Sequence, residues 1–279
     1  MTPGDARLTI LVDDHRGRDD LGAEHGFSLW IETGGKYILF DTGQGGALER
    51  NARALGIDLS ETDAVVLSHG HYDHTGGLTA ALTLAPKAEI FCHPGIYQPR
   101  YAVRDGTLKP VQMPEASAEA LGRIPDGSFH LVLDPVFLTG RVGVTGPIPR
   151  ETAYEDAGGP FYLDGEGRSP DPIVDDQALW IRTDAGLVVC VGCAHAGLVN
   201  TLNRIRFLND GSRIRAVIGG FHLLQAGRDR LVRTVAALES FGLETLVPCH
   251  CTGESAITFI RGAFPGRVFP GTVGTVFRF

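Results

Sequence analysis

The 279-residue sequence predicts an α/β protein in which two sheets pack face to face with helices on both outer surfaces, a four-layer αββα sandwich. Two observations carry this. Strand patterns followed by helical patterns occur in the first half of the chain and again in the second, and each sheet so built must bury its faces on partner layers. The hydrophobic content of 43% over this length also suffices for one ample core, so a single domain spanning 1–279 is expected.

The elements follow in order. Leu8–Val12, Phe27–Glu32 and Tyr37–Phe40 read as strands, with Gly34-Gly35 as the hairpin turn between the last two. Ala47–Leu55 carries helical patterning and stops at Gly56. Asp63–Ser68 is an apolar run that releases into a polar turn, after which Thr75–Leu82 reads as the opening of a helix. In the second half, Ala178–Thr183 and Leu187–Val191 form a hairpin about Asp184-Ala185-Gly186, and helices are expected near 197–208 and 228–241. Between Pro94 and about Asp176, eleven prolines and many glycines interrupt the pattern. This stretch, about 94–176, reads as an insertion that caps a site.

The six residues His69-Gly70-His71-Tyr72-Asp73-His74 put four potential metal ligands into one turn directly after a strand. Alternation at the strand exit aims His69 and His71 at one cation, while Asp73 and His74 swing toward a second. Imidazole and carboxylate together suit Zn²⁺, Fe²⁺ or Mn²⁺, and a polar loop with coincidental histidines is a poor account of this spacing. Three further histidines leave strand patterns in the same way: His195 after Gly186–Gly192, His222 after Ile214–Gly220, and His250 after Leu246-Val247-Pro248-Cys249. Asp41 closes the strand Lys36–Phe40, and glycines at 43, 45 and 46 let the backbone approach the site.

These motifs resemble the metallo-β-lactamase superfamily, whose signature is His-x-His-x-Asp-His after a strand, preceded by an Asp at the end of an earlier strand. The resemblance implies the four-layer metallo-β-lactamase fold and a dinuclear site for two divalent cations, zinc first, manganese or iron next. It implies that Asp41 orients a ligand histidine through its free ring N–H, and that His250 is the last metal histidine. One departure stands out. Where the superfamily carries Gly-Asp, with the Asp bridging two metals, Gly192 is followed by Cys193, with His195 two residues on. His195 is the favoured ligand and Cys193 its supporting neighbour, although a thiolate at Cys193 remains open. The superfamily's histidine between the first cluster and this strand has no obvious counterpart, His93 and His130 being the available ones. Gly-Cys-Ala-His-Ala-Gly, Gly-Gly-Phe-His-Leu and Pro-Cys-His-Cys-Thr-Gly are together similar to the branch named for 7,8-dihydropterin-6-methyl-4-(β-D-ribofuranosyl)aminobenzene-5′-phosphate synthase, a name that does not fix the reaction.

The expected ligand set is therefore His69, His71, Asp73, His74, His195 and His250. Asp73 and His222 are expected to serve catalysis, His222 by donating a hydrogen bond or a proton. The expected chemistry is hydrolysis, or a related transfer, of a small phosphorylated or cyclic ester, pterin-like substrates included, by a metal-bridging hydroxide. Tyr97, Arg100 and Arg104, in the capping stretch, read as substrate contacts, because a guanidinium holds phosphate or carboxylate in a bidentate pair. Two other classes fit the same residues: a binding protein that keeps the metal cage without catalysis, and a mono-iron oxygen or redox enzyme.

Cysteines offer a rival. Cys190, Cys193, Cys249 and Cys251 would make a four-thiolate structural zinc site, but strand alternation points Cys190 and Cys193 to opposite faces. With Cys92 the count is five, and this odd number, with no apolar signal segment at the start, predicts reduced thiols and a cytoplasmic protein. Net charge is −8 and only three of the 25 basic residues are lysine, which disfavours nucleic acid and anionic membrane as partners. No run of about twenty apolar residues predicts a bilayer span. The expected partner is a small anionic molecule, and a homo-oligomer is compatible with the sequence.

Overall fold

The structure is a computed structural model and describes residues 5–279. In chain order the elements are β1 (Ala6–Val12), β2 (Ser28–Thr33), β3 (Lys36–Phe40), α1 (Leu48–Ala54), β4 (Ala64–Val66), α2 (Tyr72–Thr75), α3 (Leu78–Leu84), β5 (Glu89–Cys92), β6 (Tyr101–Arg104), β7 (Thr107–Pro110), α4 (Glu115–Leu121) and β8 (Phe129–Leu131). The second half adds β9 (Val136–Phe137), β10 (Val142–Val144), β11 (Phe161–Tyr162), β12 (Ala178–Thr183), β13 (Gly186–Val191), α5 (Leu198–Leu208), β14 (Ile214–Gly220), α6 (Arg228–Phe241), β15 (Thr245–Cys249), α7 (Glu254–Ala263) and β16 (Val276–Arg278).

One sheet has seven strands in the order β16-β1-β2-β3-β4-β5-β8, and the other has six in the order β15-β14-β13-β12-β10-β9. Period-two alternation sorts their side chains between layers. Leu29 and Ile31 of β2 meet Leu179 and Ile181 of β12 in the core between the sheets, together with Ile10, Phe40, Val188 and Ile218. The intervening Trp30 and Leu39 point outward onto α1 and α3, where Leu48 and Leu78 cover them. On the opposite outside, Trp180, Val189 and Val217 pack beneath α5, α6 and α7 through Leu202, Leu238 and Ile260. Because helices or the partner sheet cover both faces, the central strands read as apolar runs rather than half-polar ones. A one-residue slip in β12 would exchange Trp180 for its neighbours across two differently shaped cores, so register is strongly specified. The β2–β3 turn has Gly34 at φ 57° and Gly35 at φ 75°, the left-handed pair a two-residue hairpin demands.

The stretch from 94 to 176 is not one insertion. β8 pairs in parallel with β5, and β10 pairs with both β12 and β9, so these pieces complete the two main sheets. Only β6, β7 and β11 form a separate three-stranded sheet, and Ala102, Val103, Arg104 and Phe161 from it line a cavity. Strands of two or three residues are too short to show alternation, and the prolines around them hid the rest.

Topology places the site. β3, β4, β5 and β8 run in parallel, as do β13, β14 and β15. The carboxyl ends of β3, β4, β13, β14 and β15 release Asp41, Ser68-His69, Cys193, His222 and His250 respectively. Such an edge, outside the carboxyl ends of parallel strands, is where open α/β sheets bind ligands. β1 points the same way as β3, since each is antiparallel to β2, and it releases Asp13 and Asp14 at that edge. Among the described residues no helix is long and apolar enough to cross a membrane.

Candidate metal centre

The strand exits turn sharply. Asp41, Ala194, His222 and His250 all adopt left-handed φ values, at 58°, 52°, 46° and 47°. Each such non-glycine residue costs roughly 1–3 kcal/mol and persists only where the surroundings over-determine it. For Asp41 and His250 the surroundings are hydrogen bonds: Asp41 holds Ser68 and His74, and His250 is held at its backbone N–H by Asp13 and at Nδ1 by Asp14.

Asp41, fully buried, accepts Nδ1–H of His74 at 2.7 Å, the Ser68 backbone N–H at 2.7 Å and the Ser68 hydroxyl at 2.7 Å. The Ser68 hydroxyl has then given away its only proton, so at 2.9 Å it accepts Nδ1–H from His69. One carboxylate thus sets the tautomer of two histidines and leaves both Nε2 lone pairs pointing inward. His195 gives its Nδ1–H to the Ala157 carbonyl at 2.8 Å, and His250 gives its own to Asp14 at 2.6 Å. This is the arrangement that orients metal-ligating imidazoles.

The inward nitrogens form two groups. His69 Nε2 faces His71 Nδ1 at 2.9 Å, and together with His195 they offer ligand atoms all within 4.8 Å of one another. His195 Nε2 is buried without a hydrogen-bond partner. In the second group the Asp73 carboxylate lies 3.3 Å from His250 Nε2 and 3.9 Å from His74 Nε2, and His74 Nε2 lies 3.1 Å from Cys193 Sγ. Burial, reinforced by neighbouring imidazoles, holds His69 and His195 well below the ordinary histidine range. Burial and then the Arg100 charge do the same to His71. These three rings are therefore neutral, the form that binds a metal. His250 is the opposite case. Burial disfavours its charge, but hydrogen bonds to Asp14 and Asp73 outweigh it and hold the ring well above its usual value. Asp73 is likewise drawn well below the carboxylate range, against burial, by His25 and His250. Unpartnered buried nitrogen, correct tautomers and converging donors fit the binding of divalent metal.

Both groups open onto one cavity of about 380 Å³, bounded by Tyr72, Arg104, Phe161, His222, Leu224 and Gln225. The Phe161 ring lies 5.1, 5.3 and 5.9 Å from those of His71, His195 and His222. Arg104 sits over the Tyr72 ring at 5.6 Å and donates to its hydroxyl at 3.1 Å.

Two expectations need correction. Arg100 is no substrate contact: it is wholly buried, hydrogen-bonded to both carboxylate oxygens of Asp175 and paired by charge with Asp171, whose Oδ2 lies 2.9 Å from Nε. Asp175 in turn accepts the Gly70 N–H at 2.8 Å, so this ion cluster holds the His69–His71 turn. Tyr97 is half exposed and does not line the cavity, unlike Arg104. The imidazole that joins His69 and His71 comes from His195; His93 accepts from Gly95 N–H and half-exposed His130 pairs with Glu89, and neither lines the cavity. Cys190 lies in the core between the sheets while Cys193 lines the cavity, so the four thiols do not meet at one zinc.

Two participants were not anticipated. Asp14 and His25 join the second group: His25 lies 2.9 Å from Asp14 and 3.2 Å from Asp73, and its ring packs 4.7 Å from that of His250. Hydrogen bonds to Asp14 and then Asp73 push its pKa up to about 9. Asp14 follows the strand β1, so the strand-exit rule applied to the other histidines would have found it.

Comparison with known proteins fits this geometry. The family model of the metallo-beta-lactamase superfamily matches residues 21–250. The chain belongs to the metallo-beta-lactamase superfamily. A relative in Methanocaldococcus jannaschii, named 7,8-dihydropterin-6-methyl-4-(beta-D-ribofuranosyl)-aminobenzene-5'-phosphate synthase, is 30% identical over 261 residues, which cover 90% of this chain and 88% of that one. An uncharacterized protein of the same organism is 32% identical over 252 residues, covering 90% and 92%. Among solved structures, a metal-dependent hydrolase of the beta-lactamase superfamily superposes with a TM-score of 0.82 at 31% identity, over 98% of each chain. A metallo hydrolase from Ignicoccus hospitalis shares the fold alone, with a TM-score of 0.56 at 16% identity over 99% of this chain and 98% of that one.

Proposed function

We propose that this superfamily member is a metal-dependent hydrolase, or a related transferase, acting on a small anionic phosphorylated or cyclic ester. The observation that carries the reading is the set of four histidines tied by their outer nitrogens, with their inner nitrogens converging beside Asp73 on one cavity. His69, His71 and His195 would hold one divalent cation, and Asp73, His74 and His250 a second, with zinc the first candidate and manganese or iron the next. When bound, such a pair lowers the pKa of water toward neutrality and polarises a phosphoryl or carbonyl oxygen.

The rest falls to the chain itself. Arg104, at the cavity mouth and already oriented by Tyr72, presents a guanidinium to the substrate's anionic group. His222 packs its ring 4.2 Å from that of His195 and has a buried Nδ1 without a partner. From there it can donate a hydrogen bond to developing negative charge, or a proton to the leaving group. Phe161 walls the opposite side with apolar surface. The name of the synthase relative makes pterin-like phosphates the first natural substrates to try.

The test is elemental analysis of protein purified without added metal, paired with hydrolysis of bis(p-nitrophenyl) phosphate and of a simple lactone. Two zinc or manganese ions per chain, with activity lost to chelator and restored by metal, support the proposal. One iron with oxygen consumption, or a metal-free chain that binds ligand without turnover, defeats it. His71→Ala and Asp73→Ala should lose metal and turnover while circular dichroism stays native.

A further inference from the structure

Five cysteines are free and buried, and they divide into two kinds. Cys190 and Cys249 lie in the apolar core between the sheets, and Cys92 lies in the apolar layer under α3 and α4. There they pack as small hydrophobes. Cys193 and Cys251 belong to none of the three apolar clusters and line the cavity instead. Their sulfurs stand 3.3 Å apart although 58 residues separate them in sequence.

Each sulfur also faces nitrogen. Cys193 Sγ is 3.1 Å from His74 Nε2. Ligand atoms lie within 4.8 Å of one another in the set His69, His74 and Cys193, in the set Cys193, His195 and His222, and in the set Cys193, His250 and Cys251. Cys193 therefore sits between the two histidine groups, and Cys251 reaches the second. Space for the pair is made by Gly220, where a Cβ would lie 2.6 Å from Cys251 Sγ and 3.3 Å from Cys193 Cα. Asp73 supplies one carboxylate to the second group, and Asp14 joins it through its bonds to His25 and His250. Two thiolates supply the anionic charge that a second divalent cation needs.

We infer that Cys193 and Cys251 are a thiolate pair that ligates the second cation, with Cys193 shared toward the His69–His71–His195 group. The inference rests on the two-cation reading and sharpens it. Thiolate donors select zinc or iron and disfavour manganese and magnesium, so the second position is the soft one. On binding, each S–H proton leaves to solvent and a sulfur–metal bond replaces it; no oxidant takes part.

Cobalt substitution tests this without any substrate. The chelator-stripped protein, loaded with Co²⁺, should show visible d–d bands and a near-ultraviolet thiolate-to-cobalt charge-transfer band. Cys193→Ser and Cys251→Ser should each weaken that band, and the double variant should abolish it while cobalt at the histidine group keeps its d–d absorption. Zn²⁺ should displace the second ion from the wild type, and Mn²⁺ should not. Cobalt bound with d–d bands but no charge-transfer band overturns the inference and leaves the two-cation reading standing, as does a band unchanged in Cys251→Ser. A stripped chain that takes up no cobalt overturns both. If a serine variant misfolds, the wild-type spectrum alone decides, since a thiolate ligand must give the band.

Discussion

Replacing Arg100 by methionine should destabilise the protein while leaving the substrate cavity intact. The guanidinium is fully buried, hydrogen-bonded to Asp175 and paired by charge with Asp171, both almost wholly buried. Methionine fills a similar volume but leaves two carboxylates buried without their cation. Breaking a buried pair from one side costs roughly 3–5 kcal/mol, mostly the penalty of the stranded charge. Unfolding entropy of about 2.1 cal/mol/K per residue, over a chain of this length, is about 0.6 kcal/mol/K, so the midpoint should fall by about 5–8 °C. Thermal unfolding followed by near-ultraviolet circular dichroism measures it. A second loss should accompany the first. Asp175 accepts the Gly70 N–H between His69 and His71, so a loosened carboxylate should weaken metal binding by roughly 10–100-fold, the usual cost of disturbing the groups behind a ligand. Neutralising the stranded partner with Asp175→Asn in the Arg100→Met background should recover part of the stability, a coupling that a double-mutant cycle reads directly. An unchanged midpoint in Arg100→Met, combined with a raised KM for an anionic ester, would refute the reasoning and restore Arg100 as a substrate contact.

Other outcomes follow from the same geometry. Asp41→Asn keeps the side-chain shape but cannot accept from both Ser68 and His74, so metal affinity should drop by roughly 10–100-fold by equilibrium dialysis, with little change in far-ultraviolet circular dichroism. A Cβ at Gly158 would lie 1.9 Å from His222 Cδ2, so Gly158→Ala should displace that ring and slow turnover by roughly 10²-fold with metal content unchanged; metal loss would instead make His222 a ligand. Acidification should strip the cations in order. His250 is held protonated by Asp14 and Asp73 in the metal-free chain, so protons already compete for its nitrogen above the ordinary histidine range and compete harder as pH falls, while buried His69, His71 and His195 stay neutral. Dialysis from about pH 8 to about pH 6 should therefore remove one ion per chain before the other, and loss of both together would contradict the assignment.

Much of this was open to reading in one dimension. His69, His71, Asp73 and His74 share a single turn, and their spacing is a local property of a strand exit. Asp41, His195, His222 and His250 each follow a strand and were legible by the same rule, as was Arg104 by its charge. Asp14 obeys that rule too, but a lone acidic residue after a strand carries no metal signal until His25 and His250 stand beside it. An arginine among prolines and glycines reads as solvated until its partners are known, and the partners of Arg100 lie 71 and 75 residues away.

The order of residues alone fixed the layers, since apolar alternation reports which face of a strand is buried and helical patterning which segments cover it. It also fixed the donor types available at the carboxyl edge. Only the folded chain decided who meets whom: Arg100 with Asp175, 75 residues away; Cys193 with Cys251, 58 away; Asp14 with His250, 236 away. The charge state of a carboxylate, thiol or imidazole depends on burial and on the few ångströms to its neighbour. Neither quantity is written along the chain; both arise when the two sheets bring their strand ends together.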